Sequence, residues 1–191
     1  MTYLDELEKI IAPLRNELAK VRLAIFDVDG VLTNGQLCYE AGGESIKIFH
    51  VRDGVGLKLL QDMGIAVAVV TAKDSEMVAR RVKELGIIHY VPGAKNKLDT
   101  VIQLAESLGI TKGECCFTGD DMVDLPVMQA VGVSFCPNDA YPYVAERANI
   151  QLNVSGGQGV ARMVCDMLLL ASNQYDAAYQ LASTEAFERQ R

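Results

Sequence analysis

Two carboxylates one residue apart, Asp27 and Asp29, follow directly on four apolar residues, Leu23 to Phe26. A short apolar run bounded by polar residues reads as a parallel strand covered on both faces, which puts Asp27 at its carboxyl end. In open α/β sheets, ligands bind in the crevice outside those ends. Side chains alternate along extended chain, so the two aspartates point roughly the same way, and Gly30 allows a sharp turn behind them. Two unit charges at about 4 Å and an effective dielectric near 20 repel by roughly 4 kcal/mol, so the pair needs a proton or a cation. Asp-x-Asp-Gly alone also fits an ordinary turn. It does not fit an EF-hand, because Val31 takes the third ligand position and Cys38 the place of the closing Glu.

Groups of the same kind recur along the chain. Ile65 to Val70 reads as a second buried strand and ends at Thr71. Glu114 to Phe117 reads as a fourth, closing on Thr118-Gly119-Asp120-Asp121 with Asp124 just beyond. Lys97 lies near a helix start between the third strand and the fourth. Taken singly, Thr71 could cap the helix after it, Lys97 could be a solvated lysine and Asp124 a helix-start residue. Together they put polar groups at the carboxyl ends of successive strands, facing one crevice. An aspartate cluster without His or Cys suits a hard cation such as Mg²⁺, which keeps waters and accepts a substrate phosphate as a further ligand.

The elements that must position these groups are legible from periodicity. Residues 2 to 20 read as an amphipathic helix with Pro13 as a kink, packed on the outside of the domain or against another subunit. Gln36 to Glu40 and Glu44 to Phe49 read as a β-hairpin, the only insertion between the first strand and the next helix, and too small to cover an active site. Helices are expected over Asp53 to Met63, from Asp74 or Ser75 to Leu85, over Asn96 to Leu108, through Val127 and Val131, over Tyr141 to Arg147 and over Val160 to Ala171. Strands alternate with them at Ile87 to Val91, Val133 to Phe135 and Ile150 to Val154. The fold class is therefore α/β: a doubly wound, mostly parallel, Rossmann-like sheet with a small hairpin insertion and no large cap domain. The chain divides into an N-terminal helix (1–20), a body (21–172, with the hairpin at 36–49) and a polar tail (173–191) that can be helical but has no strong apolar face.

Composition limits the partners. A chain of 191 residues, 50% hydrophobic, makes one domain with a sizeable core. Its net charge of −7 leaves no basic stripe for nucleic acid or an anionic membrane, so an anionic substrate would need local positive charge. No apolar stretch reaches membrane-spanning length, and the acidic amino terminus does not read as a signal peptide. The five cysteines, at 38, 115, 116, 136 and 165, lack metal-ligand spacing and read as reduced, mostly buried thiols of a cytoplasmic protein.

Asp-Val-Asp-Gly-Val at 27 to 31, Thr71 after its strand, Lys97 in Asn-Lys and Gly-Asp-x-x-x-Asp at 119 to 124 resemble the four motifs of haloacid dehalogenase superfamily phosphatases, in order, between Val21 and Leu170. The resemblance implies that Asp27 is a nucleophile forming an aspartyl-phosphate. It implies that Asp29 protonates the leaving alcohol and then activates water. Mg²⁺ would be held by Asp27, the backbone carbonyl of Asp29, and Asp120. Thr71 and Lys97 would bind phosphoryl oxygens, and Asp121 and Asp124 would orient the metal shell or Lys97.

Val51-Arg52-Asp53-Gly54, Pro126-Val127-Met128 and Gly156-Gly157-x-Gly159 are further similar to a capless, tetrameric subgroup acting on 3-deoxy-D-manno-octulosonate 8-phosphate, a precursor of lipopolysaccharide sugar. In that subgroup the hairpin of one subunit covers the site of another. Its substrate-contacting positions match His50, Val51, Arg52, Asp53, Gly54, Lys58, Lys73, Arg81 and Lys97. Two positions depart from its pattern: Ala72-Lys73 stands where Gly-Arg is typical, and Lys58 where an arginine is expected. A lysine keeps the charge but loses bidentate geometry, so relatives acting on nine-carbon acylneuraminate 9-phosphates remain the alternative. A silent binding module on the same fold is the other reading, but it has no need of all of Asp27, Asp29, Thr71, Lys97 and Asp120. The Gly156 to Gly159 run reads either as a helix-start turn or as a flexible entry that lets the tail reach a neighbouring site.

Overall fold

The structure, a computed structural model, describes residues 1–185 and 187. Uninterrupted apolar segments become its central strands. In chain order these are β1 (Leu23–Phe26), the hairpin strands β2 (Cys38–Glu40) and β3 (Gly43–Ile46), then β4 (Ala66–Val70), β5 (His89–Val91), β6 (Cys115–Thr118), β7 (Val133–Cys136) and β8 (Ile150–Gln151). Six of them form one parallel sheet in the order β5-β4-β1-β6-β7-β8, while β2 and β3 pair antiparallel outside it. From β1 the chain winds outward through β4 to β5, then returns to the other side of β1 for β6, β7 and β8. The strand order therefore reverses between β1 and β6, and the crevice at their carboxyl ends is the switch point where such sheets bind ligands.

Helices cover both faces: α1 (Tyr3–Ile11), α2 (Arg15–Leu18), α3 (Val51–Asp62), α4 (Glu76–Glu84), α5 (Lys97–Ser107), α6 (Leu125–Met128), α7 (Pro142–Ala145), α8 (Val160–Ala171) and α9 (Tyr175–Ala182). Alternation along β1 divides the core. Ala24 and Phe26 pack with α1, α3, α4 and α8, whereas Leu23 and Ile25 pack with α5, α6 and α7.

Several sequence expectations change at their edges. The helix expected over 2–20 breaks at Pro13 into α1, a 3₁₀ turn (Ala12–Leu14) and α2. Thr2 and Asp5 close a capping box at its start, and Leu7, Ile11 and Leu18 are buried in the main core. The α3 helix starts at Val51, two residues earlier than periodicity predicts, because His50 serves as its N-cap. Ser75 occupies the N-cap position of α4 without making a side-chain cap bond. The helix expected through Val127 and Val131 is a 3₁₀ turn (Met122–Asp124) followed by the single turn of α6, and β8 is only two residues long.

Over its described residues the tail is helical, as the sequence allows, and forms α9. The correction is its buried face: Ala178 and Phe187 lie in the main core, with Tyr175, Leu181 and Ala182 packed against it. The tail's apolar positions are mostly alanine and tyrosine, which give the sequence no strong apolar stripe. Cys115, Cys116, Cys136 and Cys165 are buried free thiols, and Cys38 is exposed on the hairpin. Among the described residues no helix is long and apolar enough to cross a membrane.

Candidate active site

The ladder of β1 carries one step beyond the strand, where the Asp27 N–H donates to Thr118 O at 3.0 Å. The chain then turns over residues 28 to 32, with Gly30 at φ +90°. A Cβ on Gly30 would lie 2.0 Å from Asp120 Oδ2, so only glycine at this position lets the carboxylate of Asp120 close on the β1 loop. The loop is held from behind: Gly157 N–H donates to Val31 O at 2.9 Å, and a Cβ on Gly156 would lie 2.2 Å from Gly30 O. The glycine run is a helix-start turn, with Gly159 at the N-cap of α8, and its buried members Gly156 and Gly157 also buttress the Asp27–Asp29 turn.

Asp124 organises the opposite wall. Its Oδ2 accepts the N–H groups of Asp120 at 3.1 Å and Asp121 at 3.4 Å, and its Oδ1 accepts Lys97 Nζ at 2.6 Å. Lys97, the first residue of α5, is fixed by the Asn96 cap and also reaches Asp27 Oδ1 at 2.9 Å. Asp121 points elsewhere: it is exposed, its Oδ1 accepts the Met122 N–H at 2.6 Å, and it caps the 3₁₀ turn. Thr71 is buried at the end of β4, beside β1 in the register Phe26↔Val69. Its N–H donates to Val91 O and its C=O accepts from Ala94 N, while Oγ1 accepts only a long 3.5 Å bond from Lys73 N. It does not cap α4.

One carboxylate oxygen from each of Asp27, Asp120 and Asp124 lies within 4.8 Å of the others. Burial, then the charges of Asp27, Asp124 and Asp121, push Asp120 up to about 7 against the opposing pull of Lys97. Burial likewise raises Asp27, helped by Asp124 and opposed by Lys97. Burial would lower Lys97, but Asp27 and Asp124 more than offset it and hold the ammonium charged. Three carboxylates face one ammonium, so the cluster is short of positive charge, and its donors are all oxygen. That donor set fits a hard divalent cation.

Asp29 stands apart from this cluster. Its carboxylate accepts Thr33 Oγ1 at 3.3 Å and pairs with Lys47, which follows β3. Lys47 also faces Glu44 Oε1 at 3.1 Å, and Glu44 Oε2 lies 2.9 Å from Lys73. Neither Glu44 nor Lys47 was singled out from sequence.

The remaining expected contacts fall in three places. Gly54, Lys58 and Arg81 line one groove with Val51 and Glu84. Arg52 is exposed and shares a depression with Tyr3, Gln158, Arg162 and Asp166, none of which belongs to the carboxylate cluster. The carboxylate of Asp53 is inside the protein, accepting the Arg162 N–H at 2.8 Å and tying the starts of α3 and α8 together. His50 Nδ1 accepts the Arg52 N–H at 3.2 Å.

The family profile of haloacid dehalogenase-like hydrolases matches residues 49–132. The 3-deoxy-D-manno-octulosonate 8-phosphate phosphatase KdsC of Haemophilus influenzae is 42% identical over 168 residues, covering 86% of this chain and 93% of that protein. The chain belongs to the haloacid dehalogenase-like hydrolases. This hydrolase is also similar to the cobalt-bound H. influenzae phosphatase structure, at TM-score 0.82 and 40% identity over 91% of this chain and 99% of that one. The Moraxella catarrhalis phosphatase, solved with magnesium ion, phosphate ion and a KDO molecule, superposes at TM-score 0.85 and 34% identity, covering 91% of this chain and 98% of that one. The hydrolase acts on phosphoric monoesters. Its strand-end groups suit that chemistry: a buried carboxylate at the crevice, an ammonium 2.9 Å away, and a cluster that attracts a cation where a phosphate dianion would enter.

Proposed function

We propose that the hydrolase converts 3-deoxy-D-manno-octulosonate 8-phosphate to the free sugar acid and inorganic phosphate, in the making of lipopolysaccharide sugar. The observation that carries the substrate is the likeness to KdsC phosphatases along nearly the whole chain. Asp27, Asp120 and the backbone carbonyl of Asp29 would hold Mg²⁺, which when bound offsets phosphate charge so that a carboxylate can approach.

In the first step an Asp27 oxygen bonds to phosphorus as the phosphorus–ester oxygen bond breaks, and Asp29 gives its proton to the departing alcohol. In the second, Asp29 takes a proton from water as that water bonds to phosphorus, and Asp27 leaves as the free carboxylate with phosphate released. Thr71 Oγ1 and Lys97 Nζ bind phosphoryl oxygens, and the bond from Lys97 to Asp124 keeps the ammonium aimed. Asp121 acts only through its charge and its turn. Lys58, Lys73 and Arg81 supply cations for the sugar carboxylate, and His50 to Gly54 shape the α3 end of the site.

The hairpin exposes Leu37, Tyr39, Ile46 and Ile48, an apolar surface suited to burial against another copy. A homotetramer in the cytoplasm, with each hairpin over a neighbour's site, fits that surface. The test is phosphate release, with Mg²⁺, from 3-deoxy-D-manno-octulosonate 8-phosphate, acylneuraminate 9-phosphates and simple sugar phosphates. Preference for the eight-carbon acid supports the reading. Preference for a nine-carbon acid moves the substrate and keeps the mechanism.

A further inference from the structure

The hairpin carries two charged side chains that its sequence gives no reason to bury. The Lys47 side chain is 1% exposed and that of Glu44 7%. Lysine is almost never this buried unless paired, and the partners of Lys47 are the carboxylates of Asp29 and Glu44. Glu44 is in turn held by Lys73, whose ammonium also sits 5.5 Å from the centre of the Tyr39 ring. The result is a line of alternating charge, Lys73–Glu44–Lys47–Asp29, that runs from the end of β4 across the hairpin to the turn after β1.

We propose that Lys47 is a positioning residue for Asp29. The inference rests on the acid–base reading of Asp29 given above. The Asp29 side chain is 29% exposed, and among the described residues its carboxylate has, apart from Lys47, one hydrogen bond, a long one to Thr33 at 3.3 Å. Without Lys47 it can rotate toward solvent. A proton donor must stay within hydrogen-bond reach of the ester oxygen, about 2.6–3.2 Å. A misplacement of about 1 Å costs on the order of 10²-fold in rate. Glu44 keeps the lysine in place, and the tie to Lys73 gives the hairpin a second anchor on the sheet.

The test compares wild type, Lys47→Met, Lys47→Arg and Asp29→Asn with 3-deoxy-D-manno-octulosonate 8-phosphate and Mg²⁺, reading kcat and KM separately. Lys47→Met is expected to lower kcat about 10²-fold, with KM and the half-saturating Mg²⁺ concentration each within about threefold of wild type. Lys47→Arg should recover at least about tenfold of that loss, because the second cation can reach the same carboxylate. A folded Lys47→Met protein with kcat within about threefold of wild type overturns the proposal. So does a loss confined to KM or to Mg²⁺ affinity, or one that arginine leaves unrepaired. Lys47→Gln replaces Lys47→Met, under the same criteria, if circular dichroism shows the methionine variant unfolded. Asp29→Asn separates the two readings. If it retains turnover, the acid–base role itself falls, whereas a dead Asp29→Asn beside an active Lys47→Met removes only the role given to Lys47.

Discussion

Relative to wild type, Asp53→Asn should gain stability as pH rises. Burial raises the Asp53 carboxyl from 3.8 to about 6, against the opposing hydrogen bond from Arg162 N–H and the charges of His50, Arg52 and Arg81. Among the described residues its Oδ2 has no hydrogen-bond partner, which is why ionisation is unfavourable there. A folded-state value above the unfolded one means that the native protein binds the proton more tightly, so stability falls as pH rises through the interval from about 4 to about 6. The gap of roughly 2, at about 1.4 kcal/mol each, amounts to roughly 3 kcal/mol lost by wild type above that interval. Asparagine carries no charge and keeps the oxygen that accepts from Arg162. Urea unfolding of both proteins at a series of pH values between about 4 and 8, with chelator present throughout, isolates the effect. The difference in unfolding free energy should move in favour of the asparagine protein by up to about 3 kcal/mol across the series. A difference that is flat with pH, or that moves the other way, refutes the reasoning. Any constant offset reflects only the fit of the amide.

Three further outcomes follow from the candidate site. Asp27→Asn should abolish phosphate release while leaving the circular dichroism spectrum unchanged, and near-normal turnover in that variant would sink the proposed mechanism. Removing divalent metal with a chelator should silence the enzyme and adding Mg²⁺ should restore it; activity that survives exhaustive chelation counts against the metal assignment. Gly30→Ala should weaken Mg²⁺ binding, measured by calorimetry, at least about tenfold, because the new Cβ would fall 2.0 Å from Asp120 Oδ2 on a backbone at φ +90°. Unchanged affinity would mean that Asp120 is not held by the close approach of that loop.

Amino-acid sequence alone determined the architecture and the chemistry of the strand ends. Four apolar residues before Asp27, the strand before Thr71 and the run into Asp120 each carry their signal within a few neighbouring positions, because burial on both faces of a parallel strand requires continuous apolar chain. Lys97 and Asp124 were legible as candidates from their place near a helix start and just beyond a strand end and from their motif spacing, though not as partners at 2.6 Å. Tertiary structure decided what each polar group does. It turned Asp121 outward as a cap, drew Asp124 inward to Lys97, and set Asp53 beneath the start of a helix 109 residues away in the chain. It also buried Lys47 against Asp29 and pressed Gly156 onto the turn that carries both aspartates. These pairings join residues with no fixed spacing between them, and a polar side chain in a hairpin looks the same in sequence whether it ends in water or in an ion pair. Periodicity reports which face of an element is buried. Only the assembled fold decides which charge meets which.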